Sequence, residues 1–150
     1  MGLIDFFYAS DGSKVSIPKY LRKKEQKLQR LRRRPAKAKK GTRQYRKILK
    51  AIQKCHYRAK CQRNDFLHKQ ANELLTRSDT IFYEKLAVKN MIRRPKPKQD
   101  EENGEYLSNG ASAKVGLNKS IADAGWGRFF EFFRYKSEEL CKKVVSAPPQ

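Results

Sequence analysis

One segment of this chain, residues 19–60, carries most of its positive charge and limits the structures that it can form. It contains 19 Lys and Arg residues against one acid, Glu25, and so accounts for +18 of the formal net charge of +21. A charge excess of this size repels itself unless a polyanion offsets it, and nucleic acid is the usual polyanion. Alternating charges, which normally stabilise a solvated helix face, are missing here. We therefore interpret the segment as a phosphate-binding surface.

The apolar residues of this basic part of the chain recur at helical spacing. A first helix is predicted at about 18–34, where Pro35 ends it, and a second, longer helix begins after Thr42 as N-cap. The apolar seam of the second helix repeats at 3, 4, 3, 4 and 7 residues and consists of Tyr45, Ile48, Ile52, Cys55, Ala59 and Phe66. The simplest arrangement is a basic helical hairpin over about 18–76, with a loop at 37–41 between its two helices.

Short strands are predicted on both sides of this hairpin. Residues 3–17 place β-forming residues around the polar turn at 10–13, a pattern typical of two strands joined by a tight turn. An apolar run at 80–86 predicts a buried strand that ends in the carboxylate of Glu84. The alternation of strands and helices along the chain favours an α/β fold.

The last third of the chain contains a loop, a helix and a strand in our interpretation. Residues 93–116 are rich in Pro, Gly, Asn, Lys and Glu without an apolar period, which predicts a flexible loop. A helix is predicted from about 118 to 141, followed by a strand at 142–147. The chain of 150 residues is long enough for one domain with a hydrophobic core.

Composition restricts the location of the protein. No run approaches the ~20 apolar residues of a membrane span, and the first residues lack the basic start of a signal peptide. Three cysteines do not form a paired framework, which favours a reducing, cytoplasmic environment. The basic helices lack a Trp/Phe-rich insertion face, so no membrane partner is expected. Cysteines and histidines of the long helix also lack the CxxC spacing of a zinc knuckle.

Three segments of the chain read GLIDFFYASDGSK at 2–14, TIFYEKL at 80–86 and SIADAGWGRF at 120–129. In this order, they resemble the RuvC-like nuclease domain of TnpB, the RNA-guided accessory transposase of small insertion elements (OrfB family). The similarity extends over essentially all of residues 1–150. It implies a truncated RNase H-like (RuvC) sheet of the α/β class, with the long basic helical hairpin inserted into it.

The resemblance also implies a catalytic chemistry, in which Asp, Glu and Asp hold two Mg²⁺ ions that cleave DNA. Glu84 matches the second of these carboxylates and is the candidate catalytic residue and metal ligand. The first Asp of the family lies in a Gly-Ile-Asp-x-Gly stretch, and aligning its last Gly with Gly2 places that Asp just before residue 1. We therefore expect the chain to begin at an internal methionine. Asp5 then aligns with a later, non-catalytic position, and we interpret Asp123 as a capping and packing residue.

The resemblance further implies that the family's N-terminal regions, its zinc ribbon and its last Asp lie outside this chain. With one of three metal ligands, the chain is expected to hold Mg²⁺ poorly and to be inactive by itself. The implied partners are guide-like RNA, DNA, or a full-length TnpB copy. The alternative is a non-enzymatic RNA- or DNA-binding or regulatory protein derived from a transposon.

The candidate nucleic-acid-binding residues are the cations of the hairpin. Arginine and lysine side chains there are expected to contact phosphates rather than base edges. The twelve candidates are Arg22, Lys23, Lys27, Arg30, Arg32, Arg33, Arg34, Lys39, Lys40, Arg43, Arg46 and Lys47.

Overall fold

The computed structural model describes residues 1–35, 38–100 and 103–148, and it combines long helices with short strands. The strands are β1 (Asp5–Tyr8), β2 (Lys14–Ser16), β3 (Thr80–Glu84), β4 (Lys98–Gln99), β5 (Tyr106–Leu107) and β6 (Lys143–Ala147). The helices are α1 (Tyr20–Lys23), α2 (Glu25–Arg33), α3 (Arg43–Arg77), α4 (Val88–Met91), α5 (Ala111–Ala124) and α6 (Trp126–Glu139). The α/β composition is confirmed. The predicted loops at 37–41 and 93–116 lie partly outside the described residues, at 37 and at 101–102.

The strand–turn–strand predicted at 3–17 is confirmed. β1 and β2 pair antiparallel, with a register irregularity between Asp5 and Phe7. In the turn, the amide of Ser13 donates to the side chain of Asp11 at 2.8 Å, and Gly12 has a φ of 80°. A positive φ is easily adopted by glycine, so the Asp-Gly pair determines this turn locally.

β3 and β6 pair in parallel, from Thr80 opposite Lys143 to Glu84 opposite Ala147. One face of β3 packs inward, and Tyr83 stacks on Phe130 of α6 with ring centroids 4.8 Å apart. The other face is exposed, and Phe82 retains 71% of its accessible surface. The prediction of a buried strand is therefore wrong, because helix α6 covers only one face of it.

The predicted truncated sheet is divided into pairs. Among the described residues the strands form three separate two-stranded sheets, β1–β2, β3–β6 and β4–β5. The first two pairs contribute to one core, which also includes α3 and α6. A shared helical layer thus joins strand pairs that do not hydrogen-bond to one another.

The basic helical hairpin is present, although its first helix is interrupted. The helix predicted at 18–34 divides at Lys24 into α1 and α2. Helix α3 begins as predicted, with the Thr42 side chain accepting a hydrogen bond from the amide of Tyr45 at 3.2 Å. Lys24 contacts Gln62, and Arg32 lies 3.4 Å from His56, so α2 and α3 run in opposite directions.

The seam of α3 and the aromatic residues of α6 form the core. Ile48, Cys55 and Ala59 of the predicted seam are buried; Leu67, Ala71 and Leu75 extend this buried face. Phe6 of β1 is fully buried, and its ring centroid lies 5.1 Å from that of Phe129. The ring of Phe129 stacks in turn on Phe133. The core therefore lies between α3, α6 and the β1–β2 hairpin.

The flexible loop predicted at 93–116 is wrong in two respects. Lys98 and Gln99 pair with Leu107 and Tyr106 in a short hairpin. Helix α5 begins at Ala111, whose amide donates to the side chain of Asn109 at 3.1 Å. The Asn side chain and the alanines of the first turn favour helix over loop.

The helix predicted from 118 to 141 is broken at Gly125, which has a φ of 72° and connects α5 to α6. A side chain at this position would meet the Cδ atom of Arg63 at 3.0 Å. The positive φ therefore favours glycine at this position, and a side chain here would in addition displace the Arg63 side chain of α3.

We expect Gly125→Ala to lower the free energy of unfolding by about 1–2 kcal/mol, because alanine is strained in the left-handed region. The measurement is urea unfolding followed by circular dichroism. Gly127→Ala is the matched control, since Gly127 lies inside α6 and a side chain there meets nothing within 4 Å. Equal stability of the two variants would contradict the assignment of strain to Gly125.

Candidate nucleic-acid interface

All twelve predicted nucleic-acid-binding residues are exposed. Arg22 and Lys23 lie on α1, four lie on α2, and the last three lie in the first turns of α3. Arg34, Lys39 and Lys40 lie between α2 and α3. The structure thus brings these side chains onto α1, α2 and α3 and onto residues between α2 and α3. We call this unit the basic helical pair, with α1 and α2 as one arm and α3 as the other.

Most of this positive charge has no compensating acid. Within the described residues, Arg22 is the one member of the set that forms an ion pair, at 3.0 Å between its Nη1 atom and Oε2 of Glu25. Lys119 of α5 contacts the same carboxylate at 3.1 Å. The hydrogen bonds from Arg22 and Lys119 lower the pKa of Glu25. The remaining cations are free to attract phosphates.

A cleft between α2 and α3 concentrates part of this charge. Four cations line it, namely Lys24, Lys27, Lys54 and Arg58, together with the apolar Leu31, Ala51 and Cys55. No acidic residue is among these lining residues. A cleft of one charge sign with low-dielectric walls focuses its field, so this cleft is suited to a phosphate group.

Asp123 holds the start of the basic helical pair in place. Its carboxylate is 5% exposed and accepts hydrogen bonds from the amides of Leu21 at 3.0 Å and Arg22 at 3.1 Å. Arg63 of α3 lies 3.8 Å from the same carboxylate. Our interpretation of Asp123 as a capping and packing residue is confirmed, because its oxygens are engaged with backbone amides of the first helical turn.

Asp5 has a comparable internal role. Its side chain is 8% exposed and accepts hydrogen bonds from the Tyr8 hydroxyl at 2.6 Å and the Ser16 hydroxyl at 3.3 Å. The hydrogen bond to Asp5 raises the pKa of Tyr8. The contact with Ser16 connects β1 to β2, and the two hydrogen bonds account for a buried carboxylate without a metal ion.

Glu84, the candidate catalytic residue, is exposed at the end of β3. It lies in a shallow cleft together with Phe82, Tyr83, Ala147 and Pro148. In residues 1–35, 38–100 and 103–148, no group of three His, Cys, Asp or Glu side chains converges to hold a metal ion. The side chains around Glu84 therefore do not fit a two-metal centre, which requires several carboxylates around both ions. The role of Glu84 stays a prediction.

Sequence reasoning missed a pocket beside α2. Leu21, Leu28 and Ala122 line it together with His56 and Lys119. No pattern in the sequence connects these residues, because the pocket forms only where α1, α2, α3 and α5 meet.

In the part of the chain that the structure describes, no helix is long and apolar enough to cross a membrane.

Comparison with known proteins gives consistent matches. Residues 1–94 match the family model OrfB_IS605, described as "Probable transposase". The "Putative RNA-guided DNA endonuclease" of Streptomyces pristinaespiralis is 25% identical over 144 residues, which cover 96% of this chain and 31% of that protein. The "Putative RNA-guided DNA endonuclease InsQ" of Escherichia coli (strain K12) is 29% identical over 140 residues, which cover 93% of this chain and 34% of that protein. The chain spans about a third of the length of these two curated relatives.

Proposed function

The chain belongs to the OrfB_IS605 transposase family, and on this premise we propose that it is a nucleic-acid-binding part of a TnpB-like RNA-guided DNA endonuclease. The observation that carries the proposal is the exposed basic helical pair, in which Arg22 alone of the twelve candidate residues forms an ion pair within the described part of the chain. Its partners in this proposal are a guide-like RNA, DNA, or a full-length copy of the same family. The free cysteines support a cytoplasmic location.

We extend the proposal to a truncated RuvC-like fold. In the RNase H-like sheet the first strand is central and hydrogen-bonds to its neighbours. A hairpin, β1–β2, and a parallel pair, β3–β6, on one layer of α3 and α6 are compatible with such a sheet. The position of Glu84 at the end of β3 supports its assignment as the family's second carboxylate.

The proposed function of this chain is binding rather than cleavage. A single exposed carboxylate cannot hold two divalent ions, and Asp5 and Asp123 are buried and engaged elsewhere. This observation also favours the second candidate, a transposon-derived RNA- or DNA-binding or regulatory protein. Both candidate functions use the basic surface. They differ in whether this surface acts as part of a nuclease that a longer relative completes, or acts without one.

We expect neutralisation of Arg32, Arg33 and Arg34 to glutamine to weaken binding to all strand sequences alike. Loss of three phosphate contacts should reduce the slope of log affinity against log salt by about 2, because each contact with a single strand contributes about 0.7. The measurement is fluorescence anisotropy of labelled strands over a salt series. One salt series also contains Mg²⁺, and the strand from these samples is then checked for cleavage. We expect the strand to stay intact.

The matched control carries the same change in net charge at another place. Arg93, Arg94 and Lys96 are exposed and lie outside the basic helical pair, so their change to glutamine should leave most of the slope in place. Equal losses in the two variants would mean that net charge alone drives binding. Strand cleavage that disappears in Glu84→Ala would overturn the assignment of a binding-only chain.

A further inference from the structure

The pocket beside α2 has a volume of about 290 Å³. Its floor is apolar and is formed by Leu21, Leu28 and Ala122. Leu28 is 4% exposed and is packed into the interior, whereas Ala122 is exposed at the wall of the pocket. The pocket is at the small end of ligand sites, which begin at about 300 Å³, and it suits one ring system rather than an extended ligand.

The rim of the pocket is cationic and fixed in place. Arg22 donates to Glu25 at 3.0 Å and to the Ser120 hydroxyl at 3.3 Å. Lys119 donates to the other oxygen of Glu25 at 3.1 Å, so this acid is neutralised from two sides. Arg32 has no ion pair among the described residues and lies 3.4 Å from Nε2 of His56. Positive charge at the mouth therefore remains available to an incoming anion.

The one other acid of the pocket is already satisfied. Asp123 lines the pocket, but its carboxylate accepts from the amides of Leu21 and Arg22 and lies near Arg63. It therefore does not need a ligand cation, and its charge is offset within the protein. An apolar lining, a satisfied acid and a cationic mouth suit a flat ring that packs through its faces and is linked to a phosphate outside the pocket.

We propose that this pocket receives one unstacked nucleobase of a bound single strand, with the adjacent phosphate against Arg32 and Lys119. The proposal rests on the nucleic-acid binding proposed above and adds a base-accepting site to it. Arg22 and Arg32 are both interface residues and rim residues, so a strand on α2 is brought to the pocket mouth by its phosphates. Guanidinium groups also stack on base planes, which suits Arg32 to this position.

The test compares two strands of equal charge, a deoxythymidine oligomer and an abasic oligomer with the same number of phosphates. The whole chain should bind the base-bearing strand at least about 5-fold more tightly, the low end for one stacked base. Ala122→Leu fills the pocket from α5, and Gln29→Phe fills it from α2; both positions are exposed, and both residues line the pocket. Each change should bring the ratio of the two affinities, base-bearing over abasic, toward 1, while the slope of log affinity against log salt is unchanged.

Matched controls place the same changes outside the pocket. Ala113 on α5 and Gln26 on α2 are exposed, and neither lines the pocket. Ala113→Leu and Gln26→Phe should keep the wild-type ratio. Circular dichroism of every variant checks its fold, and two filling variants on different helices keep the test valid should one of them unfold.

The outcomes separate this inference from the function on which it rests. Binding of neither strand would contradict the proposed nucleic-acid binding itself. Salt-dependent binding with equal affinity for both strands, or a base preference that survives both filling variants, would overturn the pocket alone. Saturable binding of deoxythymidine monophosphate that Ala122→Leu abolishes, without a base preference in the oligomers, would also overturn it in favour of a free nucleotide.

Discussion

The affinity of this chain for nucleic acid should fall by about 10³- to 10⁵-fold between 50 and 200 mM salt, the range for 6–10 phosphate contacts. Binding through lysine and arginine releases the counterions condensed on the strand, and added salt opposes that release. The chain offers eleven exposed candidate cations without an ion pair in the described residues, which is enough for such a number of contacts.

The measurement is equilibrium anisotropy with a labelled single strand and a labelled duplex, each over a salt series at constant pH. Both should give steep, linear plots of log affinity against log salt. A neutral-backbone strand of the same bases is the control, and it should bind weakly with little salt dependence. A shallow slope for the charged strands, or no binding near 100 mM salt, would contradict the assignment of the basic helices as a phosphate-binding surface.

Asp123→Ala should lower the free energy of unfolding by roughly 3 kcal/mol, from the loss of a helix cap and of charge-assisted hydrogen bonds. The change leaves the amides of Leu21 and Arg22 without their acceptor and removes the partner of Arg63. Asp123→Asn retains one acceptor oxygen and should lose about half as much. Urea unfolding measures both values.

Asp65→Ala is the matched control for this experiment. Asp65 contacts Lys69 at 2.8 Å on α3, but the side chains of the pair are 63% and 71% exposed. Exposed pairs of this kind contribute about 0.3–0.5 kcal/mol. Hydrogen exchange at the amides of Leu21 and Arg22 should accelerate in Asp123→Ala and not in Asp65→Ala. Similar stability of the two alanine variants would show that Asp123 does not anchor the basic helices.

Local patterns in the sequence predicted the helices well. Thr42 as N-cap and the seam through Ile48 and Ala59 were confirmed because capping and apolar period depend on residues within a few turns of each other. The break at Gly125 was missed, although a glycine after a helical run is a typical C-cap signal. Its positive φ becomes clear only in the structure, where Gly125 joins α5 to α6.

Predictions that depend on distant elements were less accurate. Phe82 is exposed because α6 covers only the other face of β3, and the sequence of the strand alone does not show which face is covered. The candidate interface was predictable because net charge is a property of composition. The pocket was not predictable, since Leu28 of α2 and Lys119 of α5 are brought together only by the tertiary fold.

The parallel pairing of β3 with β6 has a consequence during synthesis. Residues 80–84 leave the ribosome well before residues 143–147, and within the described residues β3 has no other strand as partner. Before β6 is present, both edges of β3 are unpaired, and the exposed Phe82 side chain adds an apolar surface beside them. Contacts of such high sequence separation form late and slowly. Until β6 has been synthesised, the growing chain therefore exposes an unpaired strand that is prone to aggregation. We expect co-translational chaperones to bind the chain during this interval.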